Sequence, residues 1–183
     1  LALPDDAPMR ALDPGVVRAM IEAVDRARAE GDSIGGVFEV LARDVPPGLG
    51  SHVHWDRKLD ARLAGALMSI QAVKAISVGD GVESADRSGS QVHDPILYDT
   101  ERRAFHRPSN RAGGIEGGMS NGEMIRVRGY LKPLATLARP LASVDLVSKK
   151  ASDGGDTGCR YTREMLEVVQ KALDLRSKGF IEF

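Results

Sequence analysis

Asn110-Arg111-Ala112-Gly113-Gly114-Ile115-Glu116-Gly117-Gly118-Met119-Ser120-Asn121-Gly122 carries five glycines in thirteen positions. So dense a run is neither a helix nor an ordinary strand, because glycine loses the most backbone freedom on ordering and brings no side chain to pack. Two readings stand. One is a flexible surface loop. The other is a segment whose lack of side chains lets the main chain come against another backbone, or against a flat or phosphorylated ligand met by N–H groups. The next residues favour order: Met124 to Tyr130 is β-like, and Lys132-Pro133-Leu134-Ala135-Thr136 follows at once. Lys132 is a point charge suited to a phosphate or carboxylate; its plain alternative is a solvated lysine at a strand end.

Upstream of this stretch the chain alternates helices and strands. Asp13-Pro14 supplies an N-cap and a first-turn proline, and Val17, Met20, Ile21 and Val24 repeat as an amphipathic helix requires. Arg26 and Arg28 suit its C-terminal end and Gly31 closes it. A strand is expected over 34–43, with Gly35 and Gly36 marking a bulge or close backbone contact. Val45-Pro46-Pro47-Gly48-Leu49-Gly50 is a loop by composition. A second helix carries Leu59, Leu63, Ala66, Leu67 and Ile70 on one side, with Asp56 as its expected cap. Ile76-Ser77-Val78 reads as a short strand ending in the Gly79-Asp80-Gly81 turn, and Glu83 to Pro108 as polar and irregular. Helix followed directly by strand is the grammar of an α+β or α/β fold.

Composition narrows the function classes. At 183 residues, with 42% hydrophobic and 28% charged, the chain suits one soluble domain or a large piece of one. Lys+Arg 25 against Asp+Glu 26 argues against a general nucleic-acid surface, and 4% aromatics supply few stacking platforms. One cysteine, Cys159, excludes an internal disulfide and fits a reducing compartment. No apolar run has the length of a membrane span. The chain opens on Leu1 rather than Met, so we expect further sequence ahead of it. His52 and His54, two apart, would face one side of an extended segment, but no third ligand stands at a usual spacing and no metal site is expected. His93 and His106 have no partner at a local spacing that makes either an acid or a base. There is no Gly-Lys-Ser/Thr after the glycine run, and no GxGxxG, GxSxG or HExxH. The residues by themselves reach a possible cofactor-binding surface and go no further.

Gly48-Leu49-Gly50-Ser51-His52-Val53-His54-Trp55-Asp56-Arg57-Lys58-Leu59-Asp60-Ala61-Arg62-Leu63-Ala64 closely resembles a run found in the chorismate synthase family. The likeness continues through 66–74, Gly89-Ser90-Gln91-Val92-His93-Asp94, Asn110 to Gly122, Val127-Arg128-Gly129, Lys132 to Thr136 and Ser143-Val144-Asp145-Leu146, about residues 10–148 in all. The resemblance implies an α+β fold, half of a β-α-β sandwich in which an antiparallel sheet packs on helices. It implies an FMN-dependent lyase that converts 5-enolpyruvylshikimate 3-phosphate to chorismate and phosphate in the shikimate pathway of aromatic amino-acid biosynthesis. Reduced FMN (FMNH2) is required there without net redox change, and some members reduce their own flavin, which brings in NADP. A cytoplasmic homotetramer is implied as well, with no nucleic-acid or membrane partner.

Carried over position by position, the resemblance puts Gln71 and Ala72 where a helix end meets FMN, and Gly117 on the glycine that lies against the flavin. Lys132, Pro133, Leu134, Ala135 and Thr136 match the family's KPIPT flavin segment, with Leu134 and Ala135 in place of Ile and Pro. No catalytic residue is assigned, because the family's two acid histidines and its arginine-rich substrate-phosphate stretches belong to a first half that this chain does not match. The family-like portion is set at 1–148 and a divergent tail at 149–183, a linker plus one helix over Thr162 to Leu175. Asp153 and Arg160 are not promoted to the family's essential aspartate and arginine.

Overall fold

The computed structural model describes residues 7–135, 137–139, 141–144 and 148–153. The described residues divide into two compact units, one formed by those up to Gly35 together with those from Pro133 to Asp153, the other by Gly36–Lys132. The expected helix over Thr162 to Leu175 lies outside the described residues.

In the first unit, α1 spans Pro14–Ala29. The Asp13 carboxylate accepts the N–H of Gly15 at 2.6 Å and of Val16 at 3.2 Å, so two of the otherwise unpaired first-turn donors are satisfied. Arg26 and Arg28 occupy the last turn, and Gly31 follows the helix in the left-handed region at φ 70°. Val17 and Met20 of the expected apolar stripe are half-buried, whereas Ile21 and Val24 stay exposed. Leu134 is held to the turn after α1, since its carbonyl accepts the Ser33 hydroxyl at 2.7 Å. Strands β8 (Ala142–Val144) and β9 (Ala151–Asp153) pair antiparallel. The stretch after Ser148 therefore contains β9 within the described residues.

The second unit is built on a three-stranded antiparallel sheet ordered β1-β7-β2, from β1 (Gly36–Ala42), β2 (Val73–Val78) and β7 (Ile125–Leu131). Alternation along β7 buries Ile125, Val127 and Gly129 and turns Arg126, Arg128 and Tyr130 the other way. Helix α2 (Leu59–Met68) covers the apolar face: Leu59, Ile115, Ile125 and Val127 form the core, with Leu63, Leu67, Ile76 and Val78 packed against it. The fold is therefore α+β, an antiparallel sheet with a helix against it.

Local expectations differ from this at several points. β1 starts at Gly36 and pairs with β7 in unbroken register, so its glycine marks no bulge. The irregularity sits in β2, between Val73 and Ala75. The tight glycine is Gly129 instead: a Cβ there would run into the ring of its cross-strand partner Phe38. Asp56 does not cap α2, because Trp55–Arg57 takes a 3-10 turn that leaves Lys58 at the N-cap position. His52 and His54 lie around a bend and not along an extended segment. Glu83 to Pro108 is more ordered than its composition suggests. It holds most of a 3-10 turn at Gly81–Asp86, the short helix α3 (Gly89–Val92) begun by a Ser88–Gln91 capping box, and a hairpin of β3 (Leu97–Asp99) with β4 (Ala104–His106). Tyr98 and Phe105 meet edge to face across that hairpin at 5.0 Å.

Candidate cofactor-binding site

The glycine-rich stretch is ordered by backbone against backbone. Its first part rests on the exit of β2: the N–H of Gly79 donates to the Arg126 carbonyl at 2.9 Å, and that of Asp80 to the Arg111 carbonyl at 2.8 Å. A Cβ on Gly79 would collide with the Arg111 carbonyl, and one on Gly113 with the Gly79 amide. Asn110 secures the next turn, its Oδ1 accepting the Gly114 N–H and its Nδ2 donating to the Met124 carbonyl, both at 2.7 Å. Asp94 gathers the opening residues by accepting Ser109 Oγ at 2.6 Å and the amides of Arg111 and Ala112 at 2.9 Å. Burial pushes the Asp94 carboxyl up, but these hydrogen bonds and the Arg111 charge outweigh it and hold the group below its ordinary value.

Beyond Gly114 the stretch becomes a hairpin, β5 (Ile115–Glu116) with β6 (Met119–Ser120), turned by Gly117-Gly118 at φ 61° and 87°. The Gly118 carbonyl accepts the N–H of Leu59 at 2.8 Å and so ties the hairpin to the start of α2. The Gly48-Leu49-Gly50-Ser51 run closes the other side. Gly48 donates to the Ser120 carbonyl at 2.8 Å, Ser120 donates to the Leu49 carbonyl at 2.9 Å, and the Ser120 hydroxyl donates to the Pro46 carbonyl at 2.6 Å. Glu116 is held by Arg107 Nη2 and Asn121 Nδ2, each at 2.8 Å.

One glycine in this turn differs from its neighbours. Gly113, Gly114 and Gly118 all have backbone atoms within 3 Å of where a Cβ would stand. Gly117 has nothing within 4 Å and is exposed. Its bare backbone is therefore not required by packing inside this unit. It leaves the backbone of the turn open on that side.

At the far end of α2 the chain turns through Gln71 and Ala72 into β2. Ala72 is held at φ 68°, a left-handed conformation that costs a non-glycine residue about 1–2 kcal/mol. Its carbonyl accepts the N–H of Lys132 at 2.9 Å, just beyond the Val73–Leu131 rung. The structure thus joins Ala72 and Lys132, with Gln71 adjacent, and leaves the Gln71 and Lys132 side chains exposed. Gly117 lies by the opposite end of α2, whose ten residues measure about 15 Å, so a ligand touching both ends has to run the length of the helix. Pro133, Leu134 and Ala135 belong to the first unit, and Thr136 lies outside the described residues. Lys58 and Asp94 border the glycine turns, yet their sequence positions gave no sign of it. Among the described residues there is no cluster of three His, Cys, Asp or Glu that would hold a metal, and no helix long and apolar enough to cross a membrane.

Known proteins resemble this chain. The family model described as chorismate synthase matches residues 2–173. The chorismate synthase of Desulforudis audaxviator is 60% identical over 141 residues, covering 77% of this chain and 36% of that protein. That of Nocardioides sp. is 54% identical over 148 residues, covering 81% and 37%. A crystal structure of a chorismate synthase superposes with a TM-score of 0.65 at 48% identity, over 69% of this chain and 37% of its own. The chain spans a little over a third of the length of these relatives. With the family model matched over most of the chain and a solved member superposing on 69% of it, this chain belongs to the chorismate synthase family.

Proposed function

We propose that this chain forms one wall of the flavin site of a chorismate synthase, a lyase converting 5-enolpyruvylshikimate 3-phosphate to chorismate and phosphate. The observation that carries the reading is the open left-handed Gly117, at the position where the family's resemblance puts the flavin. Ala72 and Lys132, joined by a hydrogen bond, offer a strained backbone turn and a lysine at a second position the resemblance assigns to FMN. Reduced FMN, when bound, supplies the electron density that helps phosphate leave. The chain's own part is to position that group: the Gly117 turn gives it a flat backbone surface, and Lys132 gives it a cation.

The acids of the reaction and the substrate-phosphate arginines are assigned to segments of the whole protein that this chain does not match. The homotetramer, the cytoplasmic location and the NADP-linked flavin reduction that the resemblance implies are assigned to that whole protein. The test is chorismate formation from substrate and reduced FMN, by this chain alone and by this chain supplemented with the remaining segments of an active relative. Turnover only in the supplemented sample is expected. Turnover by the chain alone would overturn the assignment of the acids elsewhere; none in either sample, beside an active intact relative, would overturn the assigned function.

The second reading, a non-catalytic assembly module that folds against a complementary part, is favoured by the surface. Trp55, Val82 and Phe105 are exposed at 81%, 77% and 76%, apolar side chains that a partner would cover. Size-exclusion chromatography separates the two: a monodisperse folded monomer counts against the module.

A further inference from the structure

The turn at Gly117-Gly118 has a neighbour that the family resemblance does not assign to the flavin. Lys58 stands at the N-cap position of α2, and its Cβ and Cγ lie 3.1 and 2.7 Å from where a Cβ on Gly118 would be. The lysine stem is therefore laid on Gly118, one residue from the open face of Gly117. Lys58 is half-buried and pairs with no carboxylate among the described residues. The nearest acid along the hairpin, Glu116, is taken by Arg107 and Asn121. The N–H groups of Gly117 and Gly118 likewise meet no acceptor among the described residues. A lysine whose stem lies on Gly118, next to two backbone donors without an acceptor among the described residues, makes this turn receptive to negative charge.

We propose that Lys58 contacts the flavin at the Gly117 turn and that its ammonium favours the reduced, electron-rich form of the ring over the oxidised one. This rests on the flavin reading above and adds a residue and a redox preference to it. Reduction makes the ring more electron-rich, and a cation held at the Gly117 turn would bind that form more tightly than the oxidised one. The Gly117 and Gly118 amides supply the neutral part of the contact, which both forms share.

The test is a titration of the 183-residue chain with oxidised FMN and, under anaerobic conditions, with reduced FMN, followed by NMR at the Gly117 and Gly118 amides and the Lys58 ε-methylene. All three signals are expected to move, with reduced FMN binding more tightly. Lys58→Met keeps the stem on Gly118 and removes the charge; it should weaken binding of reduced FMN about tenfold while changing oxidised FMN little, as loss of a hydrogen bond to a charged group would. Lys58→Arg should retain the preference, which separates charge from packing. Gly117→Val should abolish movement at the turn for both forms. If flavin moves Gly117 while Lys58→Met keeps the preference, or moves only Ala72 and Lys132, the role of Lys58 is wrong and the flavin wall stands. If neither form moves any of these residues, both fall.

Discussion

The Asp94 carboxylate accepts the backbone N–H of Ala112 at 2.9 Å, across eighteen positions of chain. Its other oxygen takes the Arg111 amide and the Ser109 hydroxyl, so one side chain fixes the three residues around the start of the glycine-rich stretch. Asp94→Ala strands those donors in a half-buried place and is expected to cost about 2 kcal/mol. Asp94→Asn should cost less, since its amide keeps one acceptor oxygen but turns a donor toward the remaining N–H. Urea unfolding of the three proteins measures both. An Asp94→Ala change below about 0.5 kcal/mol, the range of an ordinary surface substitution, would show that the turn holds itself.

The same carboxylate makes stability depend on pH, and Asp80 adds to the effect. Burial pushes Asp80 up, but hydrogen bonds from Arg126 and Arg87 and their charges hold it below its ordinary value, as the Ser109, Arg111 and Ala112 donors do for Asp94. A folded value lower than the unfolded one means that the unfolded chain binds protons more readily. Their contribution is therefore fully present above the ordinary carboxylate value of 3.8 and is lost as pH falls through the lower, folded values. Urea midpoints measured from neutral pH downward should fall across that window. Asp94→Asn and Asp80→Asn should each flatten the fall, and a profile unchanged by both substitutions would contradict the assignment.

Gly113 and Gly117 have nearly the same backbone, φ 66° and 61°, but opposite surroundings. Alanine at Gly113 would drive its Cβ into the Gly79 amide and to 2.9 Å from the Arg126 carbonyl, atoms fixed by the sheet. The strain of a left-handed alanine, about 1–2 kcal/mol, is then added to a clash that the backbone cannot relieve, so Gly113→Ala should leave little folded protein. Alanine at Gly117 meets open space and should cost only the backbone strain, with the sheet unfolding as in the parent. Circular dichroism and thermal melts distinguish the two. Equal destabilisation would mean that Gly117 is packed and not open.

What could be read from the chain in advance divides along the range of the interactions. The Asp13 cap, the start of α1, the position of α2 and the β-like run from Met124 to Tyr130 are local patterns, and the structure has them within a residue or two. The glycine run was legible as a place of close approach, but its partner was not. Gly79, Arg111 and Arg126 meet only because β2 and β7 are neighbours in the sheet, which no short window encodes. Asp56 misled because a cap is inferred from residue type, while the 3-10 turn at Trp55–Arg57 takes up the residues a cap would need. Lys58 and Asp94 were passed over for the same reason as Gly79: each acts on a residue far along the chain. Gly117 is the reverse case, since the family likeness picked it out and only the geometry shows that it faces open space.

The ion pair between Asp80 and Arg126 should prove the most strongly coupled contact on the polar side of the sheet. Arg126 Nη2 donates to Asp80 at 2.6 Å, with the two side chains only 24% and 16% exposed, while Arg87 donates to the second Asp80 oxygen at 2.7 Å. Among the described residues, Arg126 Nε is buried with no hydrogen-bond partner and has only the Glu39 carboxylate at 4.0 Å, so removing Asp80 leaves this guanidinium poorly compensated. Loss of one member of a buried pair is costly because the other charge remains buried, whereas loss of both removes the penalty as well. Asp80→Ala and Arg126→Met should each destabilise by about 2–3 kcal/mol, and the double variant by about 1–2 kcal/mol less than their sum. Arg87 is more exposed at 37%, and Arg87→Ala should cost about 1 kcal/mol or less and lose its effect in high salt. A double-mutant cycle by urea unfolding at low and high salt gives these values. An additive Asp80–Arg126 cycle would mean that the two charges are solvated independently, and the coupling assigned to this half-buried pair would have to be given up.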